Sequence, residues 1–109
     1  MATTYKTLGQ SAPAATTSTD LYTVPASTST IVSTLVITNR AATAATFRVS
    51  QSLIGAVLAN KDYLAYDVTI QGNSFLTLTL GITMATTDKL RVYASTADLS
   101  FSAFGTEIS

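Results

Sequence analysis

Apolar and polar positions alternate with a period of two along most of this chain, the spacing that sends successive side chains to opposite faces of a strand. The clearest run is Phe75–Leu80 (FLTLTL): Leu76, Leu78 and Leu80 point one way, Thr77 and Thr79 the other. Lys89–Ser95 sets Leu90, Val92 and Ala94 against Arg91, Tyr93 and Ser95. Leu99–Phe104 sets Leu99, Phe101 and Ala103 against Ser100 and Ser102, and Thr46–Ser52 sets Phe47 and Val49 against Arg48 and Ser50. Tyr63–Ile70 reads as a further strand closed by the turn Gln71-Gly72-Asn73. Thr30–Thr38 (TIVSTLVIT) is β-branched and apolar on both faces, as a central strand is, and Asn39-Arg40-Ala41 breaks it. Only Leu53–Lys61 (LIGAVLANK) competes as helix. It is short, and Gly55 costs it about 1 kcal/mol relative to Ala, so it reads as a loop with one turn.

With a short strand over Asp20–Val24, these segments predict an all-β fold. The expectation is a small antiparallel β-sandwich, jelly-roll or immunoglobulin-like, of seven or eight strands over residues 19–109. Its core is expected to draw on Leu35, Ile37, Phe47, Val49, Leu76, Leu78, Leu80, Leu90, Val92, Leu99 and Phe101. Residues 1–18, rich in Thr, Ser and Ala, read instead as an extended N-terminal arm. Pro13 removes a ladder donor and argues against a continuous central strand there. Tyr5 and Leu8 are the only large apolar side chains before Leu21, too few to hold a tail to its own core, so the arm is expected on a neighbouring subunit.

Composition changes the picture of the surface. Only 11% of the 109 residues are charged, against roughly 25% in an ordinary domain. Thr (21) and Ser (12) make up 33 residues, so hydroxyls must supply most of the polar surface. With six cations balancing six anions there is little colloidal repulsion, which favours association. The cations do not cluster into a footprint for nucleic acid. Without His or Cys the usual zinc, copper, haem and iron–sulfur ligands are missing, and so are Ser-His-Asp and Cys-His catalysis. No segment approaches the roughly 20 apolar residues of a membrane helix. Met1–Gln10 lacks the apolar region of a signal peptide, so synthesis in a cytosol is expected.

Candidate chemistry is sparse. On one strand, Asp62 and Asp67 would lie on opposite faces roughly 17 Å apart, too far for a paired-carboxylate site. Asp88 and Asp98 read as turn punctuation. No enzyme, metal, cofactor or small-molecule site is therefore expected. A sugar platform wants exposed coplanar aromatics, usually with Trp, and there is none. Tyr63 and Tyr66, three apart, should face opposite ways, with one in the core. Phe101 and Phe104 likewise part company; Phe101 is assigned to the core, and Phe104 with one of Tyr63 and Tyr66 to a subunit interface.

Several strings carry a likeness. TLGQSAP (7–13), TDLYTVP (19–25), NRAATAATFRVS (39–50), KDYLAYD (61–67), LTLGITM (78–84), LRVYAS (90–95) and LSFSAFGTEIS (99–109) together resemble small virion structural proteins of tailed phages infecting cyanobacteria. The likeness runs nearly end to end and is most specific in the closing segment and the LTLGIT turn. It implies a non-enzymatic particle component, by expectation a capsid decoration or cement protein on the outer capsid surface. Such a protein bridges major capsid subunits; a tail, neck or baseplate component is the alternative, and a carbohydrate-binding module a more distant one. A homotrimer is expected, because local threefold positions recur across such shells.

Overall fold

The long β-branched run becomes the centre of a sheet. In a computed structural model, which describes residues 2–109, nine strands form two antiparallel sheets packed as a small β-sandwich. The strands are β1 (Thr3–Ser11), β2 (Thr19–Thr23), β3 (Ser29–Asn39), β4 (Ala45–Ser52), β5 (Tyr63–Ile70), β6 (Phe75–Leu78), β7 (Ile82–Met84), β8 (Lys89–Ala94) and β9 (Leu99–Ile108). The long sheet runs β1-β9-β3-β6, with β7 also on β3; the short sheet runs β2-β8-β4-β5. Nine strands exceed the expected seven or eight; β1 and β7 are the two that do not correspond to the seven segments read from the sequence. The Leu53–Lys61 window is a loop holding two single 3-10 turns, Leu53–Gly55 and Asn60–Asp62.

Where the sequence suggests an arm over residues 1–18 reaching a neighbour, Thr3–Ser11 pair with β9 of the same chain, and Met1 lies outside the described residues. The hydroxyl-rich composition that suggested an arm is that of an edge strand, which needs little core of its own. Leu8 packs half-buried against the chain's own core, and the strand stops at Ser11, just short of Pro13.

Between the sheets the core is continuous. Phe47 of the short sheet meets Phe101 of the long sheet edge to face, 6.3 Å between centroids. Leu35, Ile37, Val49, Leu90, Val92 and Leu99 are fully buried around them, and Leu76 and Leu78 pack partly buried at the margin. Leu80, expected inside, is exposed. The alternation that placed it there breaks after Leu78, where the chain bulges through Gly81 at φ +63° before resuming as β7. β6 and β7 are thus one strand against β3, offset by a single residue: Leu78 faces Leu35, and Ile82 faces Val32.

That offset has counterparts across the sheet. The register of β1 on β9 shifts between Thr7 and Gly9, and that of β3 on β9 shifts between Val32 and Thr34. Three strands therefore carry an extra residue at the level of Phe104, and bulges in line bend a sheet and increase its twist. Gly105 sits at this line because a Cβ there would lie 2.1 Å from the Ile31 carbonyl oxygen. Near the bend the Tyr22 hydroxyl donates to Glu107 and lies 2.8 Å from the Thr30 hydroxyl, while Glu107 also takes Lys6.

Candidate functional site: an uncharged sheet face

Registers assign every residue of the long sheet to a face. Leu35, Ile37, Phe101 and Ala103 are buried and point to the short sheet, so their strand neighbours Val36, Ser102 and Phe104 point outward. Across the strands, Tyr5 opposes Thr106, Thr106 opposes Ile31, and Ile31 opposes Thr83, one row on the outer face. The next row is Thr7, Phe104 and Thr34; another is Gln10, Ser102, Val36 and Thr77; a further one is Ser100, Thr38 and Phe75. None of these residues is charged. The apolar side chains among the hydroxyls include Tyr5 (82% exposed), Phe75 (64%), Ile31 (41%) and Phe104 (36%).

The charges lie elsewhere. On the short sheet's outer side, Asp20 accepts from Lys89 and Arg91 at 2.9 Å each, and Arg48 Nε donates to Asp67 at 2.7 Å. Hydrogen bonds from Lys89 hold the Asp20 carboxyl below the usual carboxylate range against a smaller desolvation effect, and Asp67 raises the Arg48 guanidinium. Lys6 and Glu107 pair on the inward side of the long sheet. Arg40 and Asp98 sit at a loop junction, with Arg40 donating to the Ala97 carbonyl. Asp62 and Asp88 are loop staples: Asp62 accepts from the Ala59 amide, and Asp88 from the Ala85 and Ile54 amides. The Ala59 bond, then Lys61, holds the Asp62 carboxyl below its ordinary value. Among the described residues no three acidic side chains gather into a cation site.

The interface residues suggested by the sequence are thus divided. Tyr5 and Phe104 share the uncharged face, diagonal neighbours on adjacent strands. Leu8 belongs to the core margin. Tyr63 and Tyr66 lie on the short sheet, and neither is in the core: Tyr63 is half-buried and Tyr66 exposed. Shifts between Phe47, Val49 and Ser50 in the β4–β5 pairing, with Asp67 at φ 51°, break the strict alternation. Their rings meet edge to face at 4.8 Å instead of pointing apart. Arg48 lies over one face of Tyr66 and one of Tyr93, at 4.2 and 4.3 Å from the ring centroids. Ile31 and Phe75 also stand on the uncharged face, and Phe75 is the one with a local signal, being out of phase with Leu76 and Leu78.

Compared with protein families, curated proteins and solved structures, the chain matches none.

Proposed function

We propose that this chain is a non-enzymatic structural protein of a tailed-phage particle, acting as a decoration or cement protein on the outer capsid surface. The observation that supports this reading is the uncharged face of the long sheet, where threonine and serine rows surround Tyr5, Ile31, Phe75 and Phe104. Such a face sheds little hydration on docking and meets no unpaired charge, and its aromatic rings supply apolar area at low entropy cost. Strand spacing and rise give it roughly 19 by 30 Å, about 570 Å². A standard interface buries about 800 Å² per partner, so the flat face supplies most of one contact and the projecting Tyr5 and Phe75 rings extend it. Repetition over a shell multiplies a modest affinity per site.

As a cement, the chain bridges adjacent major capsid subunits, and separating them then requires breaking its contacts as well. The assembly proposed is a homotrimer. Phe104 and Tyr66 stand on opposite sheets, so a contact joining them is heterologous, the type that can close a ring. Stoichiometry in purified particles tests the reading. A copy number close to that of capsid subunits or local threefolds supports it. A number on the scale of tail symmetry replaces it with the tail reading, and absence from particles overturns both.

A further inference from the structure

The long sheet ends on one side at β1, whose outer edge has no partner among the described residues. Other sheet margins are blunted. β2 has five residues, a register shift after Asp20 and Pro25 just beyond its end. β5 carries two register shifts and Asp67 at φ 51°, and β6 and β7 are separated by the bulge through Gly81. β1 is nine residues long, with Lys6 its only charge, and it pairs with β9 without a shift from Thr3 to Thr7. Its stretch from Thr3 to Thr7, regular and ahead of the shift at Gly9, is a template for another strand, with Lys6 as its one charge.

The direction of its backbone groups is fixed. Ala2 and Ser109 exchange both hydrogen bonds, Ala2 N to Ser109 O at 2.7 Å and Ser109 N to Ala2 O at 2.9 Å. In an antiparallel ladder such pairs alternate with non-bonded ones, so Thr4 and Lys6 also turn their amides to β9. Thr3, Tyr5 and Thr7 therefore present N–H and C=O to the free edge, and their side chains lie on the uncharged face.

We infer that this edge pairs with the same edge of a second copy, antiparallel, about a twofold axis through Tyr5. Only a centre on a residue opposes outward groups to outward groups. A centre at Lys6 sets two ammonium groups opposite each other, and it pairs only Tyr5 with Thr7. A centre at Tyr5 sets Lys6 against Thr4, and it pairs Thr3 with Thr7 on both sides of the Tyr5 pair, two hydrogen bonds at each. The Tyr5 rings meet across the axis and Thr lies opposite Thr, both favourable cross-strand pairs. Two long sheets join into one, and the uncharged face doubles in width. The contact goes beyond the virion reading, is distinct from a threefold contact, and requires nothing but this chain.

Sedimentation of the full chain from 1 to about 200 μM tests it, together with hydrogen exchange at the two ends of that range. The wild type is expected to double its mass with concentration, from 11.4 kDa towards twice that or from the homotrimer towards two joined trimers. Amides of Thr3, Tyr5 and Thr7 should gain protection with concentration, while those of Thr4 and Lys6 are protected throughout. Tyr5→Pro removes an outward donor, a substitution that edge strands accept, and should raise the dimer Kd roughly tenfold or more with circular dichroism unchanged. Tyr5→Lys keeps the backbone donor but opposes like charges across the axis, and should weaken the dimer while folding normally. A monomer across the whole range overturns the inference, and so does an oligomer that both variants leave intact or exchange protection that ignores concentration. A dimer behaving as described but absent from phage particles overturns only the virion reading.

Discussion

Replacing Gly105 with Ala should cost this domain about 3 kcal/mol, more than the same replacement at the sterically open Gly81. The added Cβ would lie 2.1 Å from the Ile31 carbonyl oxygen and 3.0 Å from both the Ile31 carbonyl carbon and the Val32 Cα, all backbone atoms of the adjacent strand. No rotamer change relieves that overlap, so β9 must separate from β3 at the line of bulges. Overpacking alone costs about 1–3 kcal/mol, and a lost ladder hydrogen bond adds about 1. Gly81→Ala is the matched control. It meets nothing within 4 Å but holds φ at +63°, so it should lose only the left-handed backbone cost of about 1–2 kcal/mol. For a domain near 100 residues, 1 kcal/mol shifts Tm by about 4–8 °C. Differential scanning calorimetry should therefore place Gly105→Ala at least about 10 °C below the wild type, with Gly81→Ala between them. Equal Tm values for the two variants would refute the reasoning, because β9 and β3 would then be free to re-register around the new methyl.

Phe104→Asp should weaken particle binding and any self-association through the uncharged face while leaving circular dichroism unchanged, since the ring is already 36% exposed; pelleting with intact particles checks this. Asp20 and Asp62 have folded pKa values below their ordinary one, so their stabilisation is complete above about pH 4 and is lost as pH falls through the folded values. Asp62→Asn should flatten the decline of Tm as pH falls below about 4. Tyr22, pushed up to about 12 by burial and its bond to Glu107, is stabilising below about pH 10, and that contribution disappears as pH rises through 12. Ultraviolet titration should show a late-ionising tyrosine phase that Tyr22→Phe removes. Deleting residues 2–12 should lower Tm and promote aggregation, because it strips an edge strand and uncovers β9; an unchanged Tm would restore the free-arm description.

The strands that alternate without interruption were legible from the sequence, and Leu35, Ile37, Phe47, Val49, Leu90, Val92, Leu99 and Phe101 all lie in the core where the period places them. What period two cannot reveal is a single inserted residue. The bulge through Gly81 turns Leu80 outward, and the irregular β4–β5 register brings Tyr63 and Tyr66 together. β1 was hidden for a different reason: its only core contribution is Leu8, and its partner lies about a hundred residues away, as the Lys6–Glu107 separation of 101 shows. Of the uncharged face, Tyr5 and Phe104 were visible one at a time. Their adjacency is a property of the β1–β9 register, which no local pattern encodes.

The position of β9 between β1 and β3 sets the order of events during synthesis. It is the last of the nine strands to leave the ribosome, yet it occupies an interior place in the long sheet. Until it arrives, β1 has no neighbour to pair with and β3 keeps one side open, so the nascent chain holds unsatisfied strand edges until Leu99–Ile108 emerge. Sheets closed by such distant pairings fold in milliseconds to seconds, long enough for neighbouring nascent chains to find one another. Chains cut before Leu99 should therefore accumulate as insoluble material, and yield of soluble protein should rise when translation is slowed or the temperature lowered.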